Sequence, residues 1–446
     1  MIKAFILAAG FSTRLKPLSE YIPKPLLPIA GEVMLDYIYK FLNSAGINQI
    51  GINLHYKSKE IEKYIRENNL SLIIFNEKEI LNTGGAIYNA RNFLCDSVFV
   101  VHNSDIYWDG NIKEAIDEHI KSKNAITLLI HNYPSHNKLI VDEEGYLIGI
   151  ENYTHVFPEQ NKLLTKSLYA FTGVAIYSQE VLSFFPEGPS CVVDMWLNAI
   201  KKGVKVKTFL TKYSFWHDIG TLHSFVRAVF DKLKRNFTSL YVYVAPESIG
   251  CELIEPCGNV VIEKGVRIKK PFKGKNIIVL PYTELEAKGE EISDCIIYKN
   301  LVVSVSGWQK QREALAQGDS TRKYFREKNR VLCEWSKLND EIEKTIYLGK
   351  FFKDKGFPVP EILEVKKDEN LIIFEDLGHL TLYSWLQCKR KKTQIIQIYK
   401  QIVEQISKLH YRISSCMEDL KIPLLKFDYD YLRWESDYFL NECVRG

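Results

Sequence analysis

No two of the chain's nine cysteines form a CxxC pair. An odd count without metal-ligand spacing argues against a disulfide framework or a cysteine metal site and fits reduced thiols, hence a cytoplasmic protein. Long apolar runs are also missing: no stretch approaches the ~18–20 residues of a membrane span. The opening segment "MIKAFILAAG" is too short for a signal peptide and is followed by Arg14 and Lys16 rather than a small-residue cleavage site. Charge of one sign is scarce, because 59 basic residues nearly balance 55 acidic ones for a net +4. That balance argues against a nucleic-acid binder, which concentrates basic charge on one face.

What remains is a 446-residue chain, 46% hydrophobic, long enough for about three domains. Up to about residue 235, apolar strand-like runs alternate with helix-like periods. "KAFILA" (3–8), "INQIGINL" (47–54), "LSLIIFNE" (70–77), "SVFVVHNSD" (97–105), "NAITLLIH" (124–131) and "GVAIYS" (173–178) read as strands. "VMLDYIYKFLNSAG" reads as a helix stopped at Gly46. "SKEIEKYIREN", "GGAIYNARNFL" and "CVVDMWLNAIKKG" also read as helices. The alternation predicts an α/β fold with a Rossmann-like, mostly parallel sheet covered on both faces, and ligands beyond the carboxyl ends of the strands. From 236 to 305 the helical period disappears. Short β-branched runs ("NVVI", "VRI", "NIIVL", "CIIY") separated by glycines and charges predict a small β-helix-like domain, with a plain β-sandwich as the alternative. A third unit, 306–446, mixes helix and strand.

The most unusual stretch follows the first strand: "LAAGFSTRLKPLSEYIPKPLLP", Leu7 to Pro28. Gly10 lets backbone N–H groups turn toward a ligand. Arg14 offers a fork for phosphate oxygens, and Lys24 is a point charge held between two prolines. A polyphosphate is the natural guest, although an unliganded strand–turn–helix link has the same pattern. With the next few residues, this run closely resembles the signature of the sugar-1-phosphate nucleotidyltransferases over roughly 1–235. One departure is Ser12, where that family usually has a second glycine. The resemblance implies that Leu7, Ala8, Ala9, Gly10, Phe11, Ser12 and Thr13 wrap a nucleoside triphosphate. Arg14 and Lys24 then act as the catalytic cations that neutralise its phosphates.

Nucleotidyl transfer needs a divalent cation, and Mg²⁺ favours one or two carboxylates plus phosphates and water. Asp105, ending "VFVVHNSD", and Asp218, in "FWHDIGT", match the family's two metal-binding aspartates. "EILNTGGAIYNA" places Thr83 and Gly84 where the family contacts the base and sugar. "AFTGVAIYS" places Thr172 and Gly173 near the sugar hydroxyls. Glu151 matches a family glutamate whose usual lysine neighbour is here Asn152, so Lys162 or Lys166 would substitute. Asn103 joins the sugar-binding set; neither it nor His102 is given a catalytic role, and His217 is read as structural. The reaction implied is in-line attack of a sugar-1-phosphate oxygen on the α-phosphorus, with Mg²⁺ as cofactor. The partners are small molecules, with neither nucleic acid nor membrane, and a homo-oligomer is compatible.

In the third unit, "LAQGDSTRKYFR" (315–326), "VPEIL" and "LIIFEDLG" resemble the small lobe of aminoglycoside-phosphotransferase-like kinases, nearest the anomeric sugar kinases that act on N-acetylmuramate. Gly318, Asp319 and Ser320 would form the phosphate-covering turn and Phe374 to Leu377 the adenine hinge. "RVLCEW" lacks the kinase lysine, no catalytic-loop H-x-D follows, and His410 reads as packed or solvated. The expectation is a partial kinase-like α+β lobe fused to a transferase. N-acetylmuramate-1-phosphate with UTP is the leading substrate pair, against mannose- or heptose-1-phosphate. Two competitors are a cytidylyltransferase for a non-sugar phosphate such as phosphocholine, with Trp108 and Trp196 as candidate cation-binding aromatics, and a non-catalytic nucleotide-binding regulator.

Overall fold

The computed structural model describes residues 2–133, 136–151, 167–213, 215–236, 242–287 and 291–307; beyond these it describes 313–314, 322–327, 330–335, 340–377, 382 and 392–414. Asn152, Lys162, Lys166 and Gly318 to Ser320 lie outside the described residues. The chain forms two compact units, one of residues 1–334 with 373–389, the other of 335–372 with 390–446.

The first unit begins with β1 (Ile2–Leu7), followed by a loop of short 3-10 turns and a hairpin of β2 (Pro28–Ile29) and β3 (Glu32–Val33). Helix α1 (Met34–Ser44) buries Met34, Leu35, Ile38 and Leu42 on one stripe. It ends at Gly46, whose φ of 85° lets the Gly46 and Ile47 N–H groups reach back to the carbonyls of Asn43 and Leu42. Next come β4 (Gln49–Leu54), α2 (Ser58–Glu67), β5 (Leu72–Asn76), α3 (Asn82–Asn89), α4 (Arg91–Leu94) and β6 (Val98–Asn103). The strands β5, β4, β1 and β6 are parallel neighbours in that order. The strongly apolar β1 and β6 fit such a place, since a sheet covered on both faces buries every side chain.

The sheet turns mixed on the far side of β6. After β7 (Ile106–Trp108) and α5 (Ile112–Lys121) come β8 (Ile126–His131), β9 (Leu139–Val141), β10 (Leu147–Ile150) and β11 (Ser167–Tyr177). Strand β11 is antiparallel to both β6 and β8 and bulges between Phe171 and Ala175. Helix α6 (Val192–Lys201) and strand β12 (Val206–Leu210), parallel to β8, complete the sheet. Outside it, β13 (Trp216–Asp218) pairs with β7, and α7 (Leu222–Asn236) follows. Trp108 is 0% exposed and Trp196 2% exposed. Both belong to the core, which corrects their assignment to an acceptor pocket: aromatic residues this large usually serve packing, and here they do.

Beyond α7 the short strands Val242–Val244, Val260–Ile262, Phe272–Val279 and Glu291–Tyr298 pair in parallel, and Leu301–Ser304 closes the stack antiparallel. The register sets Val261 beside Ile278 and Ile278 beside Ile296, so identical positions of successive runs build one apolar column. That column shares a buried cluster with Leu18, Leu27 and Ile29, so the stack packs directly under the loop that carries Lys24. Asn259, Asn276 and Asp294 form a side-chain ladder at its turns, with bonds of 2.9 and 3.0 Å.

The first unit also holds most of Glu313–Ala314, Arg322–Glu327, Arg330–Trp335 and Leu371–Glu375, neighbours in that order in another sheet. Arg326 makes a two-pronged ion pair with Asp376, at 2.6 and 2.8 Å. The second unit contains the helix Asp340–Asp354, the strand Ile362–Lys366 and the 23-residue helix Lys392–Ser414. His410 is exposed on the last of these.

Candidate active site

The carboxyl ends of β1 and β6 lie side by side, with Leu7 paired to Asn103 and the Ser104 N–H donating to the Leu7 carbonyl at 3.1 Å. The 8–28 loop and Asp105 therefore leave the sheet at one point. Lys24 sits at the start of a 3-10 turn (Lys24–Leu26), pre-set by Pro23 and Pro25. Its Nζ donates to Asp105 Oδ2 at 2.6 Å, both side chains about 15% exposed. The main chain draws in the second aspartate: the Ile219 N–H donates to the Asp105 carbonyl at 2.9 Å, and β13 aligns Asp218 with Ile106. A Cβ built on Gly220 would lie 2.7 Å from Asp218 Oδ1 and 2.8 Å from Arg14 Nη2. The Gly220 N–H donates to Asp218 Oδ1 at 2.7 Å, and Arg14 closes on the same glycine, so a bare backbone is needed there. Four charged residues from three chain segments, Arg14, Lys24, Asp105 and Asp218, form one cluster.

The electrostatics of the two aspartates differ. Burial alone would raise Asp105, but the Lys24 ammonium and, behind it, the Arg14 guanidinium outweigh this and hold its carboxyl below the ordinary value. Asp218 is pushed up to about 6, by burial first and by the Asp105 charge second, with Arg14 and Lys24 opposing. Two facing carboxylates, one made reluctant to ionise by the other, gain from a shared cation. Among the described residues, no group of three or more His, Cys, Asp and Glu could hold a metal ion. Two hard oxygen donors with two cationic side chains beside them fit Mg²⁺, which takes few protein ligands and completes its shell with phosphate and water.

The loop after β1 is open at Gly10, where a Cβ would meet nothing within 4 Å. Ser12 adopts φ 53°, ψ 39°, the left-handed conformation glycine takes without strain, which explains the family preference noted above. Thr13 and Arg14 follow in a 3-10 turn. Phe11 is half exposed, its ring edge-on to His55 and Tyr56. Behind the loop lies a network that sequence reasoning missed. The Ala8 N–H donates to Asn53 Oδ1 at 2.8 Å, Asn53 Nδ2 donates to Glu77 at 2.7 Å, and the Leu81 N–H donates to the same carboxylate at 3.0 Å. The available signal was Asn53, a polar residue in the part of β4 that is otherwise apolar after Gln49.

The other expected residues make the following contacts. The Gly84 N–H donates to the Ser190 carbonyl at 2.8 Å, and the Val192 N–H donates to Thr83 Oγ1 at 3.0 Å. A Cβ at Gly84 would lie 2.8 Å from Ser190 Oγ, and one at Gly85 2.4 Å from the Gly188 carbonyl. The two glycines let the 188–192 segment pack closely on α3. Thr172 is buried; its hydroxyl donates to the Leu129 carbonyl and accepts from the Val174 N–H, so it is engaged within the sheet. Gly173, φ 89°, packs against Ile106 and lies beside Asn103, so those two are together. Glu151 is exposed and tied through its N–H to the Lys138 carbonyl. His102 is buried with Nδ1 on the Asn103 carbonyl, and His217 lies 3.5 Å from Asp231; neither enters the charged cluster.

Comparison with known proteins places the site in context. The family model described as "Nucleotidyl transferase" matches residues 3–235. Over 323 residues the chain is 25% identical to a mannose-1-phosphate guanyltransferase of Gibberella zeae, covering 69% of this chain and 85% of the relative. It is 24% identical over 262 residues to a UTP–glucose-1-phosphate uridylyltransferase of Synechocystis, 54% of this chain and 66% of the relative. It is 30% identical over 270 residues to the bifunctional protein GlmU of Methanococcus maripaludis, 60% of this chain and 61% of the relative.

Proposed function

Because the chain belongs to the nucleotidyl transferase family, we propose that it transfers a nucleotidyl group from a nucleoside triphosphate to a sugar-1-phosphate, giving a nucleotide sugar and pyrophosphate. The observation that carries the reading is the Lys24–Asp105–Asp218–Arg14 cluster, two of whose members lie in the loop that opens at Gly10. Relatives named for mannose-1-phosphate and glucose-1-phosphate support the substrate class.

The resident residues have defined work. Lys24, held by Asp105 before substrate arrives, exchanges that carboxylate for triphosphate oxygens. Arg14 takes others with its planar fork. Asp105 and Asp218 would hold Mg²⁺, which when bound neutralises phosphate oxygen charge. A sugar-phosphate oxygen forms the new bond to the α-phosphorus as the bond to the β-phosphate bridging oxygen breaks and pyrophosphate departs. The attacking oxygen is already anionic, so positioning and charge neutralisation suffice and no covalent intermediate is required.

The finer reading pairs N-acetylmuramate-1-phosphate with UTP and rests on the kinase resemblance of residues 306–446. Strand neighbours in the order first, second, third and fifth, with a helix and the fourth strand falling between third and fifth in sequence, support a kinase small lobe. A fused anomeric kinase would produce the sugar-1-phosphate that the transferase consumes. Burial of Trp108 and Trp196 removes the feature that favoured a phosphocholine acceptor. The test is pyrophosphate release with Mg²⁺ across a matrix of UTP, GTP, CTP and dTTP with N-acetylmuramate-, mannose-, glucose- and heptose-1-phosphates. One productive pair supports the activity and identifies its substrates. Absence of turnover with every pair counts against it.

A further inference from the structure

The hairpin that ends the Lys24 loop is gripped from below by the stacked-strand region. Gly31, φ 85°, occupies the β2–β3 turn, and its N–H donates to both carboxylate oxygens of Glu263, each at 3.1 Å. The two residues are 232 positions apart in the chain. A Cβ at Gly31 would lie 2.0 Å from the Tyr243 hydroxyl, so that ring walls the turn. Lys232, from α7, donates to the Ile29 carbonyl at 2.9 Å and to Glu32 at 3.1 Å. Glu263 itself is 2% exposed. A carboxylate this deeply buried is costly unless its hydrogen bonds matter, and its contact is a backbone N–H of the hairpin closing the active-site loop.

Six residues separate Gly31 from Lys24, and they are rigid. The Leu26 and Leu27 N–H groups close the turn at Pro23 and Lys24, the Met34 N–H donates to the Leu27 carbonyl, and Leu27 and Ile29 are 0% exposed. A displacement at Gly31 therefore carries along the segment to Lys24. From this geometry we propose that Glu263 is a positioning residue, fixing the Gly31 turn and through it the placement of the Lys24 ammonium against Asp105. This deepens the nucleotidyl-transfer reading and rests on it for its effect on rate.

The test compares Glu263→Ala, Glu263→Asp and Glu263→Gln in the full chain. Gln keeps a carbonyl acceptor at the right reach; Asp keeps the charge but falls one methylene short. Ala and Asp should lower kcat about tenfold or more, the scale on which small misplacements act, with KM for the triphosphate changing less. Gln should retain more than half of kcat. The second readout needs no turnover: acylation of Lys24 by limiting acetic anhydride, followed by peptide mass spectrometry, relative to other lysines of the same sample. Lys24 should label several-fold faster in Ala and Asp and at the wild-type rate in Gln. A wild-type protein without turnover would speak to the activity alone, while the labelling still decides the positioning. Wild-type Lys24 labelling and kcat in folded Ala and Asp variants overturn the proposal, as does a Gln variant that falls as far as Ala. If Ala does not fold, the contrast between Asp and Gln decides it.

Discussion

Asp105→Asn should move two properties in opposite directions. In the unliganded protein Asp105 competes with phosphate for Lys24, through a bond of 2.6 Å between side chains that are largely shielded from water. At that separation and an effective dielectric of about 20, the attraction is about 6 kcal/mol before desolvation, of which only a fraction is net. Asparagine keeps the size and one acceptor oxygen but removes the charge. Triphosphate without metal then no longer displaces a carboxylate from Lys24, and it should bind about tenfold tighter, equivalent to about 1.4 kcal/mol. Turnover with Mg²⁺ should fall about 10²–10³-fold, the usual loss when one charged group is removed from a preorganised phosphate site. Titration calorimetry with triphosphate in excess EDTA measures the first effect, and pyrophosphate release at saturating Mg²⁺ the second. Weaker metal-free binding in Asp105→Asn, or turnover close to wild type, would refute the partner exchange at the centre of the mechanism.

Three further outcomes are expected. Gly220→Ala places a methyl group against Asp218 Oδ1 and Arg14 Nη2 and should lower turnover at least tenfold while the far-ultraviolet spectrum is unchanged; unchanged turnover would separate those groups from the chemistry. Ser12→Gly relieves a left-handed conformation and should raise stability in urea by about 1 kcal/mol or less, since glycine also loosens the unfolded chain. Glu263 is pushed up to about 7, by burial first, with the Gly31 N–H and Lys232 opposing; Tyr243, near both Glu263 and Glu247, also faces it. Its folded value lies above its unfolded one, so its contribution to stability is fully present below about pH 4.5 and is lost as pH rises through about 7. Denaturation midpoints measured across that window should show a slope that Glu263→Gln flattens; an identical slope in the variant would place the titration elsewhere.

The loop was legible because its signals are local. A glycine after an apolar strand, an arginine four residues on and a lysine between prolines all lie within one loop, which leaves the sheet at the end of β1. Helix α1 was legible with its stop at Gly46, since periodicity and a left-handed glycine are also local. The turn at Gly84 and Gly85 was legible as a ligand contact only, and the fold alone shows that Ser190 also packs against Gly84. Trp108 and Trp196 posed the same difficulty, because a sequence does not distinguish an aromatic residue lining a pocket from one filling a core. Contacts made by the fold alone were not legible at all. Asn53 behind Ala8, Arg14 against Gly220, and Glu263 under Gly31 join segments whose separation in sequence carries no trace of their meeting.

The most direct measurement is a structure of the chain with a non-hydrolysable nucleoside triphosphate and Mn²⁺, read by anomalous scattering. The expected result is a metal peak at the carboxylates of Asp105 and Asp218, with Lys24 moved from Asp105 onto phosphate and the triphosphate beside Gly10. A triphosphate bound elsewhere, or a metal peak without either aspartate, would contradict it.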